Sequence, residues 1–115
     1  MESREAEKGF VPITTIQHVR EIVRQVDSIV RRVTGDPSFR VRLFGSWAMG
    51  NARPHSDIDI AIDGPGAIDP SHMADIRDEC DALPTLFTID LVDLASVPAA
   101  FRESVRERAL AVEIL

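Results

Sequence analysis

The chain has 115 residues, 44% of them hydrophobic and 28% charged, which is the composition of one ordinary globular domain and excludes a disordered tail. The single cysteine, Cys80, excludes an internal disulfide and a Cys-cluster zinc site; a core must hold the fold, and a domain of this size hides roughly two-thirds of its unfolded surface. The net charge of −6 opposes direct binding to nucleic acid, which needs a basic surface, and no apolar run approaches the roughly 18 residues that span a bilayer.

Residues 1–10, MESREAEKGF, are polar and carry no apolar signal segment, so the expectation is a frayed end on a cytoplasmic protein without membrane contact. From Thr14 or Thr15, either a reasonable N-cap, apolar residues recur at Ile16, Val19, Ile22, Val23, Val26, Ile29, Val30 and Val33. Those spacings of three and four predict one long amphipathic helix with Arg20, Arg24, Arg31 and Arg32 on its wet side. Its β-branched residues are modest helix formers, so packing must hold it. Gly35-Asp36-Pro37 ends it.

Phe39, Val41 and Leu43 alternate with Arg40, Arg42 and Phe44 and read as a strand running into Gly45-Ser46. Residues 46–50 read as one helical turn closed by Gly50, and Asn51 to Ser56 as a loop. A second strand follows from Asp57 to Asp63, with Ile58, Ile60 and Ile62 on one face and Asp57, Asp59 and Ala61 on the other. Gly64-Pro65-Gly66 stops it. Ser71 to Leu83 is expected to be helical, burying Met73, Ile76, Cys80 and Leu83, until Pro84 breaks it. Phe87 to Val92 reads as a third strand, and Pro98 opens a last helix through Arg108. Val112 to Leu115 is left as a short strand or a docking tail. The apolar residues of helix 14–33 and of 98–115 (Phe101, Val105, Ala109, Val112) are spaced to cover one side of a small sheet. The order predicts a single α/β (α+β) domain with a mixed sheet of three or four strands.

Chemistry concentrates between Gly45 and Asp59. Two carboxylates at i and i+2 on a strand point the same way, with Cβ atoms about 7 Å apart. Unneutralised they would repel, and an all-oxygen pair is relieved best by Mg²⁺ or Mn²⁺. Asp90, between Ile89 and Leu91, is a poor residue for a strand that only packs; beside the Asp57–Asp63 strand it would make a third carboxylate. Asp93 falls on the opposite face. Gly45-Ser46, where a strand turns into a helix, offers backbone N–H groups and a hydroxyl to a phosphate. The plainer alternatives are a solvated strand edge for the aspartates, an N-cap for Ser46 and loop packing for Trp47. His18, His55 and His72 lack ligand spacing and read as surface residues. Charge divides the same way, with nine basic against six acidic residues in 1–54 and four against thirteen in 55–115.

Gly45-Ser46, ten residues, then Asp57-x-Asp59 is similar to the signature of the DNA polymerase β-like nucleotidyltransferase superfamily. The Ala48/Gly50 spacing, the run Ala52-Arg53-Pro54 to Ser56-Asp57-Ile58-Asp59 and the later Ile89-Asp90-Leu91-Val92-Asp93-Leu94 most resemble the minimal nucleotidyltransferase (MNT) antitoxins that pair with HEPN-domain toxins. The resemblance spans about residues 39–94. It implies one nucleotidyltransferase domain over 1–115, in which Asp57, Asp59 and Asp90 are catalytic and hold two Mg²⁺ ions (or Mn²⁺). By the same resemblance Gly45 and Ser46 contact the triphosphate of ATP. Ser56 and Arg53 are further nucleotide-side candidates, Arg53 being equally readable as plain loop surface or as a phosphate or partner contact. The implied reaction transfers AMP to a hydroxyl, commonly a tyrosine, of a partner HEPN toxin. Relatives commonly carry Arg where this chain has Met49, and a binding module that neutralises its partner by contact alone is the alternative.

Overall fold

A computed structural model describes residues 11–115; the expectation for residues 1–10 lies outside them. Helix α1 (Ile13–Thr34) has its N-cap two or three residues earlier than its threonines suggest. Pro12, extended at φ −60° and ψ 147°, is its N-cap, and its carbonyl accepts the amides of Thr15 and Ile16. Proline fixes φ where the helix has no amide to lose, so no side-chain cap is required. At the other end Gly35 adopts φ 67° and returns its amide to the Arg31 carbonyl, the left-handed cap that glycine favours.

Strand β1 (Arg40–Phe44) leads into a single helical turn α2 (Ser46–Met49), then a loop, then β2 (Ile58–Asp63). Helix α3 (Pro70–Asp81) is offset from the expected Ser71–Leu83. Asp69 caps it through Ser71 N–H at 2.8 Å, which leaves Pro70 in the first helical position it suits. Its end precedes Leu83, because the residue before Pro84 is disfavoured in helical geometry. Strand β3 (Ile89–Asp93) starts later than expected, since Phe87 N–H is taken by the Thr85 hydroxyl in a turn at 3.2 Å. A 3₁₀ turn at Leu94–Ser96, helix α4 (Ala99–Arg108), a two-residue strand β4 (Leu110–Ala111) and a 3₁₀ turn at Val112–Ile114 complete the chain. The C-terminal strand therefore lies at 110–111 and not at 112–115.

The sheet has the order β3-β2-β1-β4. β1 is antiparallel to β2 and to β4, and β2 is parallel to β3, a mixed four-stranded α/β arrangement as the sequence implies. Alternation sends Val41, Leu43, Ile58, Ile60 and Ile62 into the main core against Val19, Ile22, Val23, Val26 and Val30 of α1 and Ile76 and Cys80 of α3. Each such side chain contributes about 1.5–3 kcal/mol on leaving water. Burial, with Asp81 and Glu79 nearby, pushes the Cys80 thiol up to about 11, so it is a core residue and no nucleophile. The two outer segments do not share a face. Val105 of α4 packs with Ala61 and Leu94 on the opposite side of the sheet, whereas Val112 joins the main core with α1.

Asp27 is the exception in α1, only 4% exposed. It accepts the Val41 amide at 3.0 Å and the Arg40 guanidinium at 3.2 Å, tying α1 to the first residues of β1. A buried carboxylate is tolerable because both partners satisfy it.

Candidate functional site

Strand pairing brings the expected residues to one end of one sheet face. In register across the sheet, Phe44 of β1 is opposite Asp59 of β2, and Asp59 is opposite Asp90 of β3. The face holding Asp59 is that of Ala61 and Asp63, the side where α4 packs. Helix α4 lies across this face. At the far half Asp63 binds Arg42 Nε at 2.9 Å and Arg106 Nη2 at 2.9 Å. Nearer the start of α4, Phe101 meets the edge of Phe44, the residue opposite Asp59, with ring centroids 6.0 Å apart. Asp57 and Asp90, at the near half, are exposed, and Asp59 is half-buried between them.

The electrostatics of the two halves are opposite. Burial raises the Asp59 carboxyl above the usual carboxylate range, and the charges of Asp90 and Asp57 push it the same way. Burial also pushes Asp63 upward, but the guanidiniums of Arg106 and Arg42 outweigh it and hold that carboxyl below the usual range. Asp63 is thus a neutralised structural acid, whereas Asp59 sits among like charges and, among the described residues, forms no ion pair. Among the described residues no three His, Cys, Asp or Glu side chains converge closely enough to hold an ion as they stand. Asp59 and Asp90 are level on the sheet, whereas Asp57, expected as the first residue of the second strand, lies in the loop just before it because β2 begins at Ile58. The oxygen-only, anionic donor set of the three suits a hard divalent cation.

Gly45 meets this cluster directly. Its backbone, at φ 73° and ψ −155°, lies in a region reserved for glycine. A Cβ there would stand 2.9 Å from Asp59 Cγ and closer still to Oδ2. Gly45 is also the N-cap of α2: its carbonyl accepts the amides of Ala48 at 3.1 Å and Met49 at 3.0 Å, so the amides of Ser46 and Trp47 precede the first bonded one. No side chain caps this turn, which removes the N-cap reading of Ser46.

Ser56 and Arg53 shape the loop. The Arg53 amide donates to Ser56 Oγ at 2.8 Å and the Ser56 amide to the Arg53 carbonyl at 3.0 Å. The Arg53 side chain is exposed and has no ion-pair partner among the described residues. Met49 is 56% exposed. Trp47 packs, as the plainer reading has it, edge-on against Phe87 at 5.7 Å, and its indole N–H donates to the Ser56 carbonyl at 2.9 Å. That bond escapes sequence reading because its ends are nine positions apart across the close of a helical turn and an irregular loop. Asp93 faces away: it accepts Ile68 N–H at 3.0 Å and caps the following 3₁₀ turn. A cavity of about 1010 Å³ lies beside the loop, with Pro12, His18, Pro54, His55, Leu86 and Phe87 in its wall and none of the three aspartates.

Comparison with known proteins agrees with the fold. A family model described as polymerase beta nucleotidyltransferase matches residues 38–112. No curated protein matches the chain in sequence. A solved structure described as a toxin–antitoxin with AMP-PNP is similar in fold, with a TM-score of 0.58 and 24% identity over 81% of this chain and 71% of that one. A second, described as a mutant of the toxin–antitoxin MntA-HpeT with two Asp-to-Glu changes, has a TM-score of 0.57 and 22% identity over 77% of this chain and 70% of that one.

Proposed function

The chain belongs to the polymerase β nucleotidyltransferase family, and from that premise we propose that it is an antitoxin that transfers AMP from ATP to a hydroxyl of a partner HEPN toxin, with pyrophosphate as the leaving group. The observation that carries this reading is the row Phe44–Asp59–Asp90 with Gly45 against Asp59: an uncompensated acidic cluster touching a turn with free leading amides. The two toxin–antitoxin structures of similar fold, one with AMP-PNP and one with altered aspartates, support it.

Asp57, Asp59 and Asp90 would hold Mg²⁺ or Mn²⁺. Bound there, the cation neutralises phosphate charge and acidifies an acceptor hydroxyl. The remaining work belongs to the chain. The amides at the start of α2 and the Ser46 hydroxyl grip the triphosphate, while Arg53, exposed on the loop that Ser56 shapes, offers it a cation. Asp90, exposed on the edge strand, takes the proton of the incoming hydroxyl. Transfer of this kind is largely positioning and charge neutralisation, which a domain of this size can supply. The chain contains no tyrosine, so a tyrosine acceptor comes from another protein and would approach at the exposed Asp57 and Asp90.

The test is incubation of the partner toxin with this protein, ATP and Mg²⁺, read by intact mass. One AMP unit gained by the partner, absent with Asp59→Asn, is the expected result. Exposed Met49, where relatives commonly carry Arg, favours a second reading in which contact alone neutralises the toxin. In that case Asp59→Asn protects cells as well as the wild type does.

A further inference from the structure

Trp47 touches the neighbours of all three parts of the site. It follows Ser46 in the phosphate-side turn. Its Nε1–H donates at 2.9 Å to the carbonyl of Ser56, the residue before Asp57. Its ring meets Phe87 edge-on at 5.7 Å and 82°, just before Thr88, whose carbonyl accepts the Ile58 amide at 2.9 Å and so aligns β3 with β2. Among the described residues this is the one side-chain hydrogen bond joining α2 to the loop that delivers Asp57. The acceptor is itself held, since Ser56 and Arg53 close on each other through two bonds.

We propose that Trp47 is a positioning residue, a strut that fixes the separation between the triphosphate turn at Gly45-Ser46 and the aspartates at Asp57 and Asp59. This rests on the nucleotidyltransferase reading and adds to it the residue that makes the two halves act together. Irregular loop backbone without such a tie opens locally at low cost, and a small misplacement of a binding group is expensive when function depends on orientation. The bond has the geometry of a sound N–H···O contact, and the indole carries its donor on a ring already seated against Phe87.

Trp47→Phe tests the strut, because phenylalanine keeps an aromatic ring toward Phe87 and lacks the N–H. Amide hydrogen exchange should rise about tenfold or more over residues 53–58, which corresponds to about 1.4 kcal/mol of local stability, while α1 and β1 keep their protection. Affinity for AMP-PNP with Mg²⁺ should fall by a similar factor. Trp47 is the sole tryptophan, so the wild type offers a second measurement that needs no variant: its single indole N–H should be protected from exchange, and its resonance should move when AMP-PNP and Mg²⁺ are added. Unchanged exchange over 53–58, an unprotected indole N–H, or faster exchange with unaltered affinity overturns the proposal. If the wild type binds no AMP-PNP with Mg²⁺, the nucleotide reading falls instead, and the exchange data alone decide whether the strut exists.

Discussion

Replacing Gly45 with alanine separates two costs that meet at one atom. The backbone there, at φ 73° and ψ −155°, is available to glycine almost exclusively, and holding another residue in it costs about 1–3 kcal/mol. The new Cβ would also stand 2.9 Å from Asp59 Cγ, within the contact distance of the two carbons. The Asp59 carboxylate ends a short, half-buried side chain and can rotate away, which relieves the contacts with Oδ2 and Cγ. Asp59 Cβ, 3.1 Å from the new methyl, moves only with the strand and leaves part of the strain in place. Rotation also takes the carboxylate from the site, and divalent-metal binding should suffer more than folding. Thermal melts of Gly45→Ala, Asp59→Ala and the double variant form a cycle. The expected result is a loss of about 1–3 kcal/mol for Gly45→Ala that persists in the double variant, because the backbone part does not depend on Asp59. Calorimetry with Mg²⁺ and AMP-PNP should show no binding by Gly45→Ala even where it is fully folded. A folded Gly45→Ala protein with wild-type affinity would refute the reasoning, since Asp59 would then have kept its place beside a side chain that occupies it.

Asp59→Asn should raise the melting temperature of the ligand-free protein at neutral pH. Its carboxyl is raised in the fold, so ionising it costs the folded state more than the unfolded chain; the cost is absent well below about pH 4 and complete once pH has passed the raised value, and equal melting temperatures at pH 7 would contradict it. Asp63 has the opposite sign: Arg106 and Arg42 lower its carboxyl, so its stabilisation is full above about pH 4 and lost as pH falls through the lowered value. Asp63→Asn should cost about 1–2 kcal/mol at pH 7 and flatten the acid limb of a melting-temperature profile. Ser46→Ala should change stability by less than about 0.5 kcal/mol, since its hydroxyl caps nothing, yet weaken AMP-PNP binding by about 1.5–3 kcal/mol; a large fall in melting temperature with normal affinity would reverse that assignment.

The strands and the aspartates were legible because alternation has period two and fixes faces without reference to anything distant. Asp90 stood out for the same reason, as an acid where packing alone would want an apolar residue, and the parallel pairing of β2 with β3 then set it level with Asp59. What escaped is what depends on register or on loop shape. Asp63 continues the alternation of Asp57 and Asp59, but its neutralisation by Arg42 and Arg106 requires knowing which residues of β1 and α4 lie opposite. Asp27 carries a readable signal, since Val23, Asp27 and Val30 share a helical face, but its partners, Arg40 and the Val41 amide, belong to β1 and are supplied only by tertiary packing. The contact of Gly45 with Asp59 and the bond from Trp47 to Ser56 arise from a loop whose path has no periodicity to read. The separation of α4 from Val112 onto opposite faces follows from β4, two residues long and too short to announce itself.

Calorimetric titration of Mg²⁺ with AMP-PNP into the wild type and into an Asp57→Asn, Asp59→Asn double variant measures the central assignment most directly. The neutral amides keep the shape of both side chains, so the fold should survive with equal or higher melting temperature. The account predicts Mg²⁺-dependent nucleotide binding by the wild type and none by the folded double variant. Equal binding by both would mean that the aspartates do not hold the metal, and the nucleotidyl-transfer reading of this site would be wrong.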